Sequence, residues 1–308
     1  MFRRSSPGVR VGDSVRLAAA LGLALAVGAC ATATNYRDLR APRYVGGIPR
    51  GFQPPDTLRL VSFNLEFADS VDAAIRLLTT HPELRDADLV FLQEMDSTGT
   101  SRIAEALGLA FVYYPALRRN KTGKDFGNAI LSRWPIESDE KLLLPHRAVF
   151  VRTRRIATAA TIRVGTLPVR VYSTHLATPI GNSGIERREQ LRVILDDARP
   201  YERVVIGGDM NDEHVGDLAL ERRYLWPTRD LPHTARLFGI PVGAWDHVFL
   251  RGFAGAGPAG VVDVPESISD HKPIWATVIL RGRAARLTGS RGTPSRSGRT
   301  SNPARPAA

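Results

Sequence analysis

Apolar residues in this chain gather in short runs, each closed by glycine, proline or polar side chains. Residues 58–63 (LRLVSF) alternate and predict a first strand. Residues 71–80 predict a helix, ended by Pro82. Residues 88–92 (DLVFL) read as a buried strand, 101–107 as a second helix closed by Gly108, and 110–114 as a third strand. Residues 128–132 are strand-like, 147–164 hold two β-rich runs suited to an antiparallel pair, and 169–173 form another strand. The best helix spans 185–198, where Ile185, Leu191, Ile194 and Leu195 are apolar and Glu186 to Glu189 are polar. Residues 213–244 read as an irregular surface excursion, followed by strands at 248–250 and 274–279. Alternating strands and helices with antiparallel pairs predict sheets covered by helices.

The chain is organised around Arg203 to Asp212 (RVVIGGDMND). Val204 to Ile206 suit a strand buried on both faces, with Gly207 and Gly208 ending it. In a strand-like segment Asp209 and Asn211 share one face. There a carboxylate can bind a hard cation or position water, while a carboxamide can donate to phosphate. The alternative is a polar turn after a core strand.

Composition changes the picture mainly at the two ends. The formal charge of +11 points first to an anionic partner. Residues 1–30 hold four Arg and one Asp, and residues 281–308 hold seven Arg and no acid. That leaves 31 basic against 30 acidic residues in 31–280, so the body is close to neutral. Residues 17–29 (LAAALGLALAVGA) have the length of a signal h-region rather than a membrane span. Val27-Gly28-Ala29-Cys30 resembles a bacterial lipobox, and Cys30 is the only cysteine, which favours lipid attachment and excludes an intramolecular disulfide. Residues 31–57 then read as a linker, 58–281 as the domain, and 282–308 as a disordered Arg/Ser/Pro tail.

Six apolar β-like runs end on residues suited to metal or phosphate chemistry. These ends are Asn64 and Glu66 (LRLVSFNLE), Glu94 (DLVFLQE), His175 (VRVYSTH), Asp209 and Asn211 (RVVIGGDMN), Asp246 (GAWDHVFL), and Asp270 and His271 (SISDHKP). The ordered set resembles the endonuclease/exonuclease/phosphatase superfamily, which includes AP endonucleases, deoxyribonucleases, inositol-polyphosphate 5-phosphatases and bacterial sphingomyelinases. The resemblance runs from about Leu58 to Leu280. It implies an α/β four-layer sandwich, two packed mixed β-sheets flanked by helices, and a divalent-metal-dependent phosphoester hydrolase. Magnesium is the implied cofactor, with manganese or calcium as substitutes.

Carried onto this chain, the resemblance makes Glu94 the main metal ligand, joined by Glu66 directly or through water, with Asn64 and Asp270 in the metal shell. Asp209 activates water, and Asn211 and His175 bind the phosphate. His271, oriented by Asp246, stabilises the charge that develops on phosphorus oxygens. Asn128 in GNAILS matches a further motif with a less defined phosphate role. Physically, displacement at a phosphoester adds negative charge to its oxygens, so cations and donors must be placed beforehand. His247 is left out because strand alternation turns it away from Asp246. The basic stretch 118–124 (RRNKTGK) is either a phosphate approach or a solvated face. Trp226, Trp245, Phe238 and Phe253 could meet a lipid surface or stack on a base. The resulting expectation is an exported, lipid-anchored monomer acting on a phosphodiester outside the cytoplasm. Its alternatives are an extracytoplasmic nuclease, a sphingomyelinase-like lipid phosphodiesterase, or a non-catalytic phosphate-binding module on the same fold.

Overall fold

Successive strand residues face opposite sides, and in the strand Thr57–Asn64 both sides are apolar. Leu58 and Leu60 enter one buried cluster, whereas Val61 and Phe63 enter another. A strand buried twice needs cover twice, and the layers follow from that requirement. The computed structural model describes residues 33–280 apart from 52, 54, 150 and 151. The expected signal segment with Cys30 and the expected tail at 282–308 therefore lie outside the described residues.

In chain order the elements begin with β1 (Ala33–Asn35), β2 (Tyr44–Gly46), β3 (Thr57–Asn64), α1 (Val71–Thr80), β4 (Leu89–Met95), α2 (Ser97–Leu107) and β5 (Ala110–Arg119). Then come β6 (Asp125–Ser132), β7 (Ile136–Arg147), β8 (Arg154–Val164), β9 (Leu167–His175), α3 (Gly184–Asp197), β10 (Val204–Asp209) and α4 (Asp217–Glu221). The last are β11 (Ala235–Leu237), β12 (Ile240–Gly243), β13 (Asp246–Arg251), β14 (Gly255–Val261) and β15 (Ile274–Ile279). One sheet runs β1-β5-β6-β4-β3-β15-β14 with β2 also on β5, and the other runs β13-β10-β9-β8-β7. Both are mixed, since β3–β4 and β9–β10 are parallel pairs among antiparallel ones.

The sheets pack face to face through Leu60, Phe91, Val112 and Ile130 on one side and Ile156, Val171, Val205 and Val248 on the other. Helices α1 and α2 cover the outer face of the first sheet through Ala74, Leu78, Ile103 and Ala104. Helix α3 covers the outer face of the second through Leu191, Ile194 and Leu195, and α4 joins it through Leu218. This is the expected α/β sandwich. Local chemistry fixes the helix ends: Asp96 accepts from Gly99 N at the start of α2, and Ser183 with Glu186 forms a capping box on α3. None of the described helices is long and apolar enough to cross a membrane.

The structure corrects several local expectations. Residues expected as a free linker instead supply β1 and β2, paired along β5. Side chains fasten the segment further: Arg43 forms a two-bond ion pair with Asp139, and Lys141 donates to Ala41 O at 2.9 Å. Prolines and glycines hid this, because an edge strand needs only backbone groups and one covered face. Strand β7 starts before the expected run, and β14 (GAGPAGV) has no sequence signal because its small residues carry no alternation. Strand β10 does not stop at Gly207 but continues to Asp209.

Those glycines are needed for packing. A Cβ on Gly207 would lie 2.5 Å from Phe91 Cδ2, in the space between the sheets. A Cβ on Gly208, whose φ is 153°, would lie 2.0 Å from Thr174 O on the parallel neighbour β9. Gly208→Ala is therefore expected to lower unfolding free energy by on the order of 1–3 kcal/mol. Urea denaturation checks this, and a midpoint unchanged from wild type would show that β9 and β10 can part without loss.

Candidate active site

The face of each sheet that looks into the sandwich is apolar until its last residues. On β3 the inward row Leu58, Leu60, Ser62 ends at Asn64, and on β9 the row Val169, Val171, Ser173 ends at His175. The row Val205, Gly207 on β10 ends at Asp209, and Val248 on β13 is preceded on the same face by Asp246. Four strands thus deliver polar groups to one end of the interface. Alternation sends His247 the other way, onto Trp226 and Phe249, as expected.

Glu94 breaks alternation. Leu92 lies on the helix-covered face, and the strand rule would place Glu94 there too. Instead Glu94 has φ 59° and the β4–β6 register shifts between Leu92 and Met95. Such irregularities re-aim side chains near functional sites. Glu94 Oε1 accepts from Asn64 Nδ2 at 3.3 Å, and Oε2 from Phe67 N at 3.1 Å. Glu66 to Ala68 also hold positive φ, which turns Phe67 N toward Glu94.

Asp209 is the hub. Its Oδ2 accepts from Asn64 Nδ2 at 3.1 Å and Asn211 Nδ2 at 3.3 Å, and His175 Nε2 lies 3.2 Å away. Its Oδ1 accepts from Asn211 N at 2.9 Å, and His271 Nε2 stands 3.7 Å from Oδ2. Asn211 reaches this place through a turn with φ 51° after β10 rather than through strand alternation. Asn211 Nδ2 also donates to Leu176 O at 3.1 Å, so the expected phosphate donor is occupied in holding Asp209.

The two histidines are set in different protonation states. Arg155 Nη1 lies 3.2 Å from His175 Nδ1, which makes Nδ1 the acceptor and leaves the Nε2 proton for Asp209. Burial, with Arg155 and His271 adding, pulls His175 well below its ordinary pKa, so the ring is neutral. Burial alone would also pull His271 down, but the Asp246 and Asp209 carboxylates outweigh it and push it up to about 10. Its Nδ1 donates to Asp246 Oδ2 at 2.8 Å. His271 is thus an imidazolium aimed at Asp209.

Three carboxylates line the adjoining space. Burial raises Glu94 and, helped by the Asp270 charge, Glu66; burial and the Glu94 charge raise Asp270 to about 6. Asp270 N donates to Glu66 Oε2 at 3.0 Å, and Ser269 Oγ donates to Asn64 O at 2.7 Å, tying residues 269–271 to β3. Carboxylates raised by burial and by each other fit a hard divalent cation, which would relieve both penalties. Among the described residues, the group of three whose ligand atoms lie within 4.8 Å of one another is Asp209, Asp246 and His271. There the proton on His271 competes with a metal, whereas the Glu94 group offers oxygen donors alone.

Asn128 is placed apart from the expectation. It is buried, and its Nδ2 donates to Ile156 O at 2.9 Å across the sheets, which makes it an inter-sheet tie. Two participants escaped the sequence. Arg155 follows Arg152 and Arg154 in a basic run, and Gln93, buried beneath Glu94, donates to Ser173 Oγ at 3.1 Å. Only the β8–β9 pairing brings Arg155 to His175. Among the late aromatics, Trp226 and Phe253 pack on the core, while Trp245 stands 6.5 Å from the His271 ring.

The profile of the Endonuclease/Exonuclease/phosphatase family matches residues 61–271, a span holding every one of these groups. The chain belongs to that family. This places it among metal-dependent phosphoester hydrolases. Among solved structures, an endonuclease/exonuclease/phosphatase from Beutenbergia cavernae is 21% identical, over 74% of this chain and 72% of its own, with a TM-score of 0.58. D. rerio TDP2, solved with single-strand DNA product, is 18% identical over 73% of this chain and 99% of its own, at 0.59. The Bacteroides thetaiotaomicron mannosyl-6-phosphatase is 15% identical over 72% and 99%, at 0.53. At these identities the likeness is one of fold. No curated protein matches the sequence.

The site makes stability depend on pH. Burial, with the Asp246 charge adding, raises Asp209 to about 7 although His271 opposes it, so the folded chain holds that proton more tightly than the unfolded one. This contribution is greatest below the ordinary aspartate pKa and is lost as pH rises through about 7. His271 contributes fully below its ordinary pKa and loses that contribution as pH rises through about 10. Without divalent metal, wild type is therefore expected to lose on the order of 2–4 kcal/mol more than Asp209→Asn between pH 4.5 and 8. Parallel urea titrations of the two proteins check it; equal slopes would mean Asp209 ionises freely when folded.

Proposed function

We propose that this protein is a magnesium-dependent phosphodiesterase that works outside the cytoplasm, with its chemistry at Asp209. The observation that carries this reading is the pairing of one buried carboxylate with two histidines of opposite state. A neutral ring and an imidazolium both face Asp209 Oδ2, at 3.2 and 3.7 Å.

Glu94, Glu66 and Asp270 would hold the cation, with Asn64 orienting Glu94 through its amide. Oxygen donors without thiolate suit magnesium, manganese or calcium. When bound, the ion supplies positive charge that polarises a phosphoryl oxygen. The protein's own groups do the rest. Asp209, raised to about 7, accepts a proton from the attacking water near neutral pH. Asn64 and Asn211 hold it in place while it does so. His271, kept protonated by Asp246, donates to an oxygen that gains charge as the phosphorus is attacked. His175 keeps its Nε2 proton directed at the site because Arg155 occupies Nδ1.

The substrate's organic part meets an aromatic and cationic rim. The Arg119 guanidinium lies 4.1 Å from the Phe67 ring centre, Arg155 lies 5.5 Å from that of Phe126, and the two rings are 5.8 Å apart. Such a wall suits a phosphodiester with a flat or apolar substituent. The single-strand DNA product carried by the TDP2 relative supports a nucleic-acid end. The apolar segment before Cys30 supports export and lipid attachment, and with them a lipid headgroup.

The full chain in detergent, given bis-aryl phosphodiester, oligonucleotide or sphingomyelin, is expected to turn over with magnesium and stop with chelator. Glu94→Gln, Asp209→Asn and His271→Ala should each cost roughly a thousandfold or more in kcat while thermal unfolding remains cooperative. Turnover that survives chelation, or survives these substitutions, would overturn the metal-dependent chemistry at Asp209, and no turnover of any of the three substrates would support the binding-module alternative. The rate should rise with pH as Asp209 loses its proton and fall as His271 loses its own. Asp246→Asn is expected to shift the alkaline fall to lower pH, because it removes the charge that raises His271. An unmoved alkaline limb would assign that limb to another group.

A further inference from the structure

The β11–β12 hairpin combines a left-handed turn with an exposed apolar tip. Its tip is Phe238-Gly239, between Leu237 and its partner Ile240. Phe238 and Gly239 have φ of 53° and 77°, the two left-handed residues of a type I′ turn. Asparagine or aspartate is the ordinary first residue of such a turn, and an aromatic there is strained. Phe238 is nevertheless 83% exposed and Ile240 66%, with Leu237 and Val242 also exposed. Large apolar side chains held in solvent on a two-residue turn mark an interaction surface.

The hairpin stands beside the active site. Ala235 bridges to His271, Arg236 N donates to Asp270 O at 2.9 Å, and Lys272 N donates to Thr234 O at 2.7 Å. Thr234 Oγ1 in turn accepts from Trp245 N and Asp246 N.

Across the mouth from it lies a cationic corner. Thr34 on β1 pairs with Arg118 at the end of β5, the end of the sheet that also carries Asn64 and Glu94. Asn35 donates to Arg152 O at 3.0 Å and accepts from Arg154 N at 2.7 Å, which fastens the β7–β8 turn to β1. Arg147 pairs with Arg154 in register. Arg37, Arg118, Arg147, Arg152 and Arg154 make no ion pair with the described acids. The acids nearest in sequence are engaged: Asp38 accepts from Arg40 N, and Asp125 from Tyr36 and Tyr44 hydroxyls. Arg154, Arg37 and Arg152 each disfavour the charge on Arg147, as guanidiniums gathered in one place do.

We propose that the active-site end of the two sheets is a docking face for an anionic phospholipid bilayer, with the Phe238–Ile240 tip entering the acyl region and the arginine corner lying on the headgroups. The chain outside the structure argues for this partner. Thirty-two residues precede Ala33, among them the apolar run 17–29 and Cys30. Three residues from Cys30 to Ala33 span at most about 10 Å. Ala33 belongs to the same corner, so an N-terminus held at a membrane brings the arginines within roughly a Debye length of its surface. One inserted anchor with a basic patch is the combination that holds a protein firmly on anionic lipid. The inference rests on the proposed export for its partner and not on any particular substrate.

The test uses the full chain carrying Phe238→Trp, with the wild-type chain as blank, and vesicles whose lipids carry bromine in the acyl chains. On vesicles of phosphatidylcholine with phosphatidylglycerol, the added indole is expected to be quenched. High salt, or Arg147→Glu with Arg152→Glu and Arg154→Glu, should weaken that quenching roughly tenfold or more in lipid titration. Vesicle sedimentation separates the N-terminus from the face: a chain that sediments with an unquenched indole overturns the docking face. Absence of sedimentation and quenching on anionic vesicles at low salt overturns it as well. If Phe238→Asp instead weakens single-stranded oligonucleotide binding and leaves vesicle contact unchanged, the hairpin belongs to nucleic acid and the proposal falls. Hydrolysis of a soluble aryl diester, measured on each variant, reports folding and the proposed activity separately from docking.

Discussion

Two sheets that share only apolar contacts can slide and tilt, and catalytic groups carried on separate strands would slide with them. One carboxylate opposes this here. Asp209, at the end of β10, is bonded to Asn64 at the end of β3, approached by His175 at the end of β9, and faced by His271 just before β15. Those partners come from both sheets. Leaving a carboxylate buried without partners costs several kcal/mol, so the two sheets have one favourable register at this end. Beneath it, Gln93 donates to Ser173 across the interface and repeats the tie one layer deeper. Asn128 supplies a third, through Ile156 O.

The same need for partners sorts the residues into roles. Asn64 and Asn211 have their amide donors committed within the protein, so they hold and orient. His175 and His271 show that burial alone does not decide a histidine. Both are buried; an arginine stands against one and two carboxylates against the other, and their pKa values move in opposite directions. At Asp270 and Glu66 burial and neighbouring carboxylates win instead: Asp270 stays raised although the His271 charge opposes it, and Glu66 feels the Asp270 charge. A site with one proton-rich half and one charge-strained half is arranged for an anionic substrate that arrives with a cation.

Much of this was legible in the sequence wherever a single strand carries the information. Alternating rows such as Leu58, Leu60, Ser62, Asn64 announce both an inward face and its polar end. The run VVIGGD marks a buried strand and its carboxylate. The layered fold follows because such rows need two covers. Legibility failed where the backbone leaves the strand rule or where a contact depends on pairing. Glu94 lies in an obvious strand, yet its direction depends on a left-handed residue and a register shift. Arg155 appears as one arginine among several until β8 lies beside β9. The segment at 33–46 reads as a tether because its bonds are made by backbone groups, which have no sequence signature, and by Arg43 and Lys141 reaching distant partners. The dense arginines of the β7–β8 turn and the apolar β11–β12 tip had no meaning until both were placed at one end of the sandwich.

Strand β14 gives the first sheet an outer border with a further consequence. A free strand edge is a template on which another chain can lay its own backbone, and long flat edges seed aggregates. Here the border reads GAGPAGV, and its ladder with β15 is irregular between Ala256 and Ala259. Pro258 removes a backbone donor in the middle of that stretch. At the opposite border β1 and β2, both paired on β5, are three residues each. An incoming strand would meet an interrupted row at one side and stubs at the other, so templated growth along this sheet has nowhere to begin.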